Sequence, residues 1–331
     1  MESPLPVRDG VNATRLRLPG EGPWETALDY MLHRWGHVDP DGIRDRFDRG
    51  EIVGEGGAVL DRTTPLDAHT FIWYYRTLPR EQRLPVEINI LHQDANILVV
   101  DKPHFLPTTP GGTYIQESAL VRLRRQLDIP DLIPMHRLDR LTAGVLLFST
   151  NPATRGRYQV LFEKRQVQKE YEAVAPVDPR LQFPHTVRNR MVKSRTYLLA
   201  EVVEGEPNAE TRIELLEQRG RLGRYRLEPH TGKTHQLRVH LASLGIGILH
   251  DPFYPVLLDQ APDDFERPLQ LLARGISFTD PISRQPVEYR SQLELSEWAA
   301  PSEGAAKSGG AAQSAAGAIA ASGASAPALR A

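Results

Sequence analysis

The residues best suited to chemistry begin with Asp139, in the stretch 136–144 that reads HRLDRLTAG. One carboxylate lies there between Arg137 and Arg140, just ahead of the apolar run Val145, Leu146, Leu147 and Phe148. Cations close to an Asp keep it ionised. An ionised carboxylate can act as a nucleophile on an electrophilic sugar carbon, and it can equally be one half of a structural salt bridge. Two further stretches stand out: 169–173 (KEYEA), carrying Tyr171, and 231–240 (TGKTHQLRVH). In the latter, Gly232 allows a tight turn and Thr234 is placed to cap a following helix. On that helix His235 and Arg238, three residues apart, share a face. His235 and His240 are five apart with no acidic ligand beside them, so the pattern predicts no metal site. Taken singly, Tyr171 reads as a strand residue packed on a core, and Arg238 as a helix surface charge. It is the order of the three stretches that carries information.

The elements that must position these residues follow from local pattern. Residues 88–92 and 97–100 read as two strands joined through Gln93, Asp94, Ala95 and Asn96 as a hairpin. A rigid Pro/Gly loop covers 102–112. The stretch 118–127 is an amphipathic helix with Ser118 as N-cap, and 145–149 is a strand. Asn151 and Pro152 open the next helix as cap and first helical residue. Strands are expected at 170–175, 196–203, 211–217 and 224–228, and a helix at 234–244 closed by Gly245. Ahead of them, the first eighty residues resemble a separate module. A helix is expected at 24–35, a short one at 43–47, short strands at 51–53 and 58–60, and a stronger strand at 70–75. The prediction is therefore a small N-terminal α/β module over 1–80, then an α+β domain over 86–299 with a mixed, largely antiparallel central sheet and flanking helices. From about residue 300 the chain is Ala, Gly and Ser with few aliphatic anchors. Such a tail cannot bury enough apolar surface to offset its ordering entropy and is expected to be disordered.

Composition narrows the function classes. The 331 residues contain no Cys, which excludes disulfides, thiolate metal sites and a Cys nucleophile. Hydrophobic residues make up 40% and charged residues 25%, values of an ordinary globular protein. No apolar run is long enough to span a bilayer, and the charged N-terminus is not a secretory signal, so a cytoplasmic protein without a membrane partner is expected. The formal net charge is −2, less basic than many nucleic-acid binders. That figure conceals basic segments at 121–125, at 155–169 and at 188–195, against acids gathered at 201–206. A basic face on a near-neutral protein fits this asymmetry, as does scattered solvated charge.

The three stretches in this order resemble the RluA-type pseudouridine synthases. The family motif H-R-L-D-x-x-T-S-G resembles 136–144, with Ala143 in the Ser position. The motif G-R-T-H-Q-I-R-V-H is similar to 232–240, with Lys233 and Leu237 as substitutions. The motif V-V-x-K-P-x-G-L-x-x-x-P resembles 99–110, with Phe105 where Gly is usual. After the Arg helix the family reads G-D-x-x-Y-G; here His250 and Pro255 replace the glycines around Asp251 and Tyr254. Residues 271–278 resemble the closing L-H-A-x-x-L-x-F motif. The resemblance covers roughly 86–290 and implies the pseudouridine synthase fold.

The resemblance also implies an activity. A uridine's bond from ribose to base nitrogen is broken, the uracil turns, and it is rejoined through a ring carbon. Nothing is oxidised and no atom is added, so no cofactor is implied. Asp139 is the implied essential carboxylate, attacking the sugar or removing a sugar proton to give a glycal. Arg238 is implied to pair with it in bidentate fashion, fixing its orientation, and Tyr171 to stack on the uracil and assist removal of the ring proton. Stacking of a base on an aromatic ring is worth roughly 1–3 kcal/mol. Arg137 matches the residue that enters the RNA stack as the target base leaves it, and Leu237 one that packs beside the base. His136, Thr142 and Lys233 are implied substrate contacts. Arg155, Arg157, Lys164 and Arg165 are candidate phosphate contacts, or solvated helix charges. The implied partner is ribosomal RNA, transfer RNA or both, and the protein is expected to be a monomer.

Two other readings use the same residues. A nucleic-acid glycosylase shares the sugar chemistry, but such enzymes usually need a second carboxylate, and none accompanies Asp139 in the motifs. A non-catalytic RNA-binding or ribosome-assembly protein would not require Asp139, Tyr171 and Arg238 together. Many relatives also carry a small RNA-binding module, like one in a ribosomal protein, before the catalytic domain. Residues 24–75 have a comparable helix, helix and strand order with few basic residues, which fits a degenerate RNA-binding module or a cover for one edge of the catalytic domain.

Overall fold

The computed structural model describes residues 2–78, 80–194, 199–258 and 265–299. The tail expected from residue 300 lies outside these, as do residues 196–198 of one expected strand. Met1 to Trp298 forms one compact unit.

The N-terminal part keeps an apolar core of its own within that unit. It runs β1 (Thr14–Arg17), α1 (Ala27–Trp35), α2 (Pro40–Asp48) and β2 (Phe71–Tyr74), with β1 and β2 antiparallel. Thr26 caps α1 by accepting the Asp29 amide, while the Asp29 side chain accepts the Thr26 amide, a reciprocal arrangement that satisfies two otherwise orphan donors. Asp39 caps α2 through the Gly42 amide, with Pro40 as first helical residue. Met31, Phe47, Ile52, Leu60 and Ile72 meet between these elements. The strands expected at 51–53 and 58–60 do not form. A 3-10 turn at Glu55–Gly57 takes their place, with single bridges from Val53 to Val59 and to Trp73. Positive φ at Gly56 and Gly57 folds this segment too tightly for a ladder. Arg124 ties the part to the rest by donating to Gly10 O and Asn12 Oδ1, both at 3.1 Å.

The remainder is built on one sheet that has eleven strands among the described residues. In chain order they are β3 (Asn89–Gln93), β4 (Ile97–Lys102), β5 (Ile133–Pro134), β6 (Ala143–Ser149), β7 (Gln168–Pro176), β8 (His185–Lys193), β9 (Ala200–Val203), β10 (Ala209–Arg219), β11 (Leu222–Pro229), β12 (Leu271–Thr279) and β13 (Pro286–Arg290). Three helices accompany them: α3 (Ala119–Leu127), α4 (Pro152–Glu163) and α5 (Gln236–Ser243). The main path is β3-β4-β6-β12-β7-β11-β10-β8-β9, with β13 on β12 and β5 on β6. All pairings are antiparallel except β6 with β12. This is the mixed, largely antiparallel sheet expected from the sequence.

Period-two alternation explains how the sheet buries both faces. In β4 and β6, Leu98, Val100, Leu146 and Phe148 face α3 with Leu120 and Leu123. The alternate residues Ile97, Val99, Val145 and Leu147 face Tyr158 of α4. A further core joins Leu237 and Leu241 of α5 to Ile213, Tyr225, Leu227 and Leu271. Gly144 stands at the parallel join, opposite Ala273. Its φ is +112°, and a Cβ there would lie 2.2 Å from Ala273 O. Only glycine lets β6 and β12 approach this closely, five residues after Asp139.

Candidate active site

Asp139 sits in the turn that connects β5 to β6, and the loop after β4 fastens that turn along its length. Buried Thr108 donates to Leu138 O at 2.7 Å and accepts the Leu138 amide at 3.1 Å. His104 Nδ1 donates to Leu141 O at 2.6 Å. Fully buried Lys102 donates to Pro103 O and Leu106 O at 2.9 and 2.8 Å, and to Arg140 O at 3.4 Å. Burial pushes the Lys102 pKa down to about 7, against the pull of Asp139. Within the turn, the Thr142 amide donates to Asp139 O at 3.1 Å. The main chain is thus held by side chains on both flanks while the Asp139 carboxylate, 35% exposed, is left facing the cleft. Phe105, at the family's glycine position, adopts φ +66°. That backbone costs roughly 1–2 kcal/mol for a side-chain-bearing residue. The ring is buried and meets Phe265 edge-on at 4.9 Å, which offsets the cost.

The 231–240 stretch places its residues on opposite sides. Gln236 is buried and fully used. Its Oε1 accepts from Thr231 Oγ1 at 2.7 Å and the Lys233 amide at 3.0 Å, and its Nε2 donates to Glu210 O and Thr211 Oγ1 at 2.9 Å each. His240 faces Thr211 Oγ1 and Asn189 Oδ1. These bonds dock α5 on β10 and β8. On the other side Arg238 points at the cleft, 1% exposed. The expected bidentate pairing of Arg238 with Asp139 is not found. Asp251 takes that role, accepting Arg238 Nε at 2.8 Å and Nη2 at 2.5 Å. The third nitrogen, Nη1, stands 3.7 Å from Asp139 Oδ2. A buried guanidinium needs a full partner, and Asp251, itself inaccessible, supplies it. Burial works against the Arg238 charge, but Asp251 and then Asp139 outweigh it and hold its pKa above the usual value. The guanidinium also lies over the Phe253 and Tyr254 rings, at 4.8 and 5.3 Å.

The helix begins two residues later than expected. Thr234 does not cap it, because His235 occupies the N-cap position with no side-chain cap bond. Arg137 and Arg140 do not enclose Asp139 either. Arg140 turns to Phe105 O at 3.3 Å and the Tyr114 hydroxyl at 3.4 Å. Arg137 is exposed on the rim and makes no hydrogen bond or ion pair with the described residues.

Tyr171, on β7, packs between the two large cores beside Leu237. Burial, and then the Asp139 charge, push its phenol well above the usual range, so it is protonated at neutral pH. Asp139, Arg137, Thr142, Tyr171, Leu237 and Arg238 all border one open cleft of ≈1510 Å³, along with His136 and Lys233. That exceeds the ~300–1,000 Å³ common for small-molecule sites and suits a polymer segment. Of the candidate phosphate contacts, Arg165 borders this cleft, and Arg155 instead donates to Asp131 O. His136 is a turn support more than a cleft group. Its Nε2 accepts the Leu147 amide at 3.2 Å, and its ring stacks on Phe162 at 5.3 Å. Among the described residues no cluster of His and acids could hold a metal ion, and no helix is long and apolar enough to cross a membrane.

Burial keeps three imidazoles neutral here, lowering His136 to about 3 and His104 and His240 to about 4. Each folded pKa is below the ordinary ~6.5, so the unfolded chain takes protons first as pH falls. Their stabilisation is complete above about pH 6.5 and drains away toward pH 4. The urea midpoint should therefore already be lower at pH 5.5 than at pH 7.5, before most carboxylates titrate, and above pH 7 it should rise further because buried Lys102 also gives up its proton earlier in the folded state. A midpoint equal at pH 7.5 and 5.5 would contradict the neutral assignment.

Residues 96–243 match the family described as RNA pseudouridylate synthase. An uncharacterised RNA pseudouridine synthase of Synechocystis is 31% identical over 230 residues, 69% of this chain and 78% of that protein. The chain belongs to the RluA-type pseudouridine synthase family. It is 33% identical to the dual-specificity RNA pseudouridine synthase RluA of Salmonella typhi, over 58% of this chain and 87% of that one. It is 35% identical to a human pseudouridylate synthase over 50% of this chain, though it spans only 31% of that larger protein. The solved structure of human RNA pseudouridylate synthase domain-containing 1 shares the fold, with a TM-score of 0.52 at 23% identity over 64% of this chain and 86% of that one. This RNA pseudouridine synthase therefore departs from its family motifs at positions with visible substitutes, such as Phe105. Sequence reasoning weighed His235 only as a metal ligand and Asp251 only as a motif letter. His235 carried no local signal, because it lies ahead of α5 and its left-handed backbone, not a helix face, turns it toward Asp139. Asp251 carried no local signal, since its partner is thirteen residues away through a loop.

Proposed function

We propose that the enzyme isomerises specific uridines in structured RNA, ribosomal or transfer, using Asp139 as the essential carboxylate after the base is flipped out. The observation that carries this reading is the convergence of Asp139, Arg238, Tyr171 and Leu237 on one cleft. Asp139 acts on the ribose, as nucleophile or as base toward a sugar proton. Arg238, anchored by Asp251, faces the same carboxylate. Leu237 and the Tyr171 ring supply an apolar slot for the uracil. Burial, and then the Asp139 charge, keep the Tyr171 phenol protonated, so in its late role at the ring carbon the hydroxyl passes the departing proton on, giving up its own as it takes the new one. Arg137, exposed on the rim, fills the gap that the base leaves. Thr142 and His136 support the turn, and Lys233 reaches the RNA from the exposed turn before α5.

A yeast relative is named a mitochondrial tRNA pseudouridine synthase, which supports transfer RNA among the targets. The same reading takes the protein as a cytoplasmic monomer and the N-terminal 1–80 as an accessory RNA-binding module. Pseudouridine mapping of total RNA from cells lacking the protein, against the parent, tests the proposal. Loss of one or a few sites, restored by the purified enzyme, is expected. Identical maps would overturn it.

Two variants probe individual roles. Arg137→Ala should cut kcat/KM about tenfold or more on a stacked target, because flipping a base costs a few kcal/mol and a filler offsets part of that. Its effect should shrink on an unpaired loop. Tyr171→Phe keeps the stacking face and should spare KM while lowering kcat. Parent-like kinetics for both would remove these residues from the site.

A further inference from the structure

His235 has no task in the scheme above, yet the chain gives up two ordinary sources of stability to place it. Its backbone lies in the left-handed region, with φ +54°, which few residues other than Gly adopt, although His is among those that enter it more readily. It also stands at the N-cap of α5 without offering a cap bond, where Ser, Thr or Asp would contribute about 1 kcal/mol. What the position achieves is an imidazole turned inward, 10% exposed. Nδ1 is 3.0 Å from the Tyr254 hydroxyl. Nε2 is 3.7 Å from Oδ2 of Asp139.

Tyr254 is held in turn. Its hydroxyl accepts the Ala200 amide at 2.8 Å, and its own amide donates to Asp251 Oδ1 at 3.2 Å. The phenolic proton has two acceptors in reach, His235 Nδ1 at 3.0 Å and Ala200 O at 3.2 Å. The groups that face the imidazole are Asp139, Arg238, Asp251 and the rings of Phe253 and Tyr254. Burial is the largest influence and keeps it neutral, so it carries one N–H. A bare Nε2 lone pair would face the Asp139 carboxylate, so the N–H is assigned to Nε2, directed at Asp139, and Nδ1 accepts from Tyr254. Arg238 Nη1 addresses the same oxygen, Oδ2, also at 3.7 Å. Such contacts commonly tighten when substrate closes the site.

We propose that His235 is a positioning residue: fixed by Tyr254, it acts with Arg238 to hold Oδ2 of Asp139, so that Oδ1 is the oxygen presented to the ribose. This rests on Asp139 being the essential carboxylate. The arrangement fixes the carboxylate plane from two directions, where Arg238 alone would leave it free to turn.

The test uses the full-length enzyme and total RNA from cells lacking it, under single-turnover conditions. His235→Asn keeps a polar group near Nδ1 and tolerates the left-handed backbone, but has no donor at the Nε2 position. His235→Gln restores a donor there on a backbone it tolerates less well. The maximal rate should fall about ten- to a hundredfold in His235→Asn, the scale of an ångström-level misplacement of a reacting group. The half-saturating enzyme concentration should stay within about twofold. His235→Gln should recover most of the loss. Tyr254→Phe should lower the rate less, and adding it to His235→Asn should change little further, since it acts through the imidazole. A parent-like rate in folded His235→Asn, or full additivity of the two losses, overturns the proposal. If His235→Asn fails to fold, Tyr254→Phe and His235→Gln decide it: a parent-like rate for Tyr254→Phe with a dead His235→Gln overturns it. Asp139→Ala in the same assay separates the two readings. Activity there sinks the catalytic role itself, whereas inactivity there with parent-like His235 variants sinks only the positioning role.

Discussion

Asp139→Asn should abolish pseudouridine formation without loosening the fold. The substitution keeps the shape of a side chain that is 35% exposed in the turn. An amide at that position neither attacks a sugar carbon nor accepts a sugar proton, so the loss should be roughly 10⁴-fold or more, as when a nucleophile or base is removed elsewhere. Stability should change little. The turn is held by Thr108, His104 and Lys102 on main-chain atoms, and Arg238 keeps Asp251 as its close partner. Single-turnover assays with thermal unfolding of the same preparations check both halves. Rates within a hundredfold of the parent would remove Asp139 from the chemistry.

Asp251→Ala should be the more damaging change to the protein as a whole. It strands the Arg238 guanidinium, 1% exposed, beside an uncompensated cavity. Breaking a buried pair by removing one partner costs about 3–5 kcal/mol. The Phe253 and Tyr254 amides lose their acceptor as well. A unit of this size loses about 2–4 °C of Tm per kcal/mol, so a drop on the order of 10 °C is expected, with activity lost. The double variant Arg238→Met with Asp251→Leu discriminates. Replacing both charges by apolar groups is often near neutral, so stability should largely return while activity does not. Equal instability of the single and double variants would contradict the account of Asp251 as a charge partner.

How much of this was legible in the sequence depended on whether the information was local. The β3–β4 hairpin, β6 and the cap at Asn151 were readable because alternation and turn residues are written in consecutive letters. β8 was not: of HTVRNRMVK only Val187 and Met191 are buried, too sparse for a period to show, and its pairing comes from β10 and β9. Of the site, Asp139, Tyr171 and Arg238 were found through motif order, since no single one of them is distinctive. The partner of Arg238 was misread because the nearest carboxylate in motif logic is Asp139, whereas the loop after α5 brings Asp251 closer in space. His235 was hidden for a related reason: its direction depends on a single left-handed residue ahead of α5 that no sequence pattern announces.

The clamp on the 136–142 turn has a consequence for cells rather than for test tubes. Because Thr108, His104 and Lys102 grip the main chain and leave the carboxylate untouched, a protein that has lost Asp139 still offers an intact cleft, rim arginine included. Such a protein is expected to engage the same RNA and release it unchanged. Overproduced beside the parent enzyme, it should act as a decoy that lowers modification at the parent's own sites, a dominant effect that a null allele lacks.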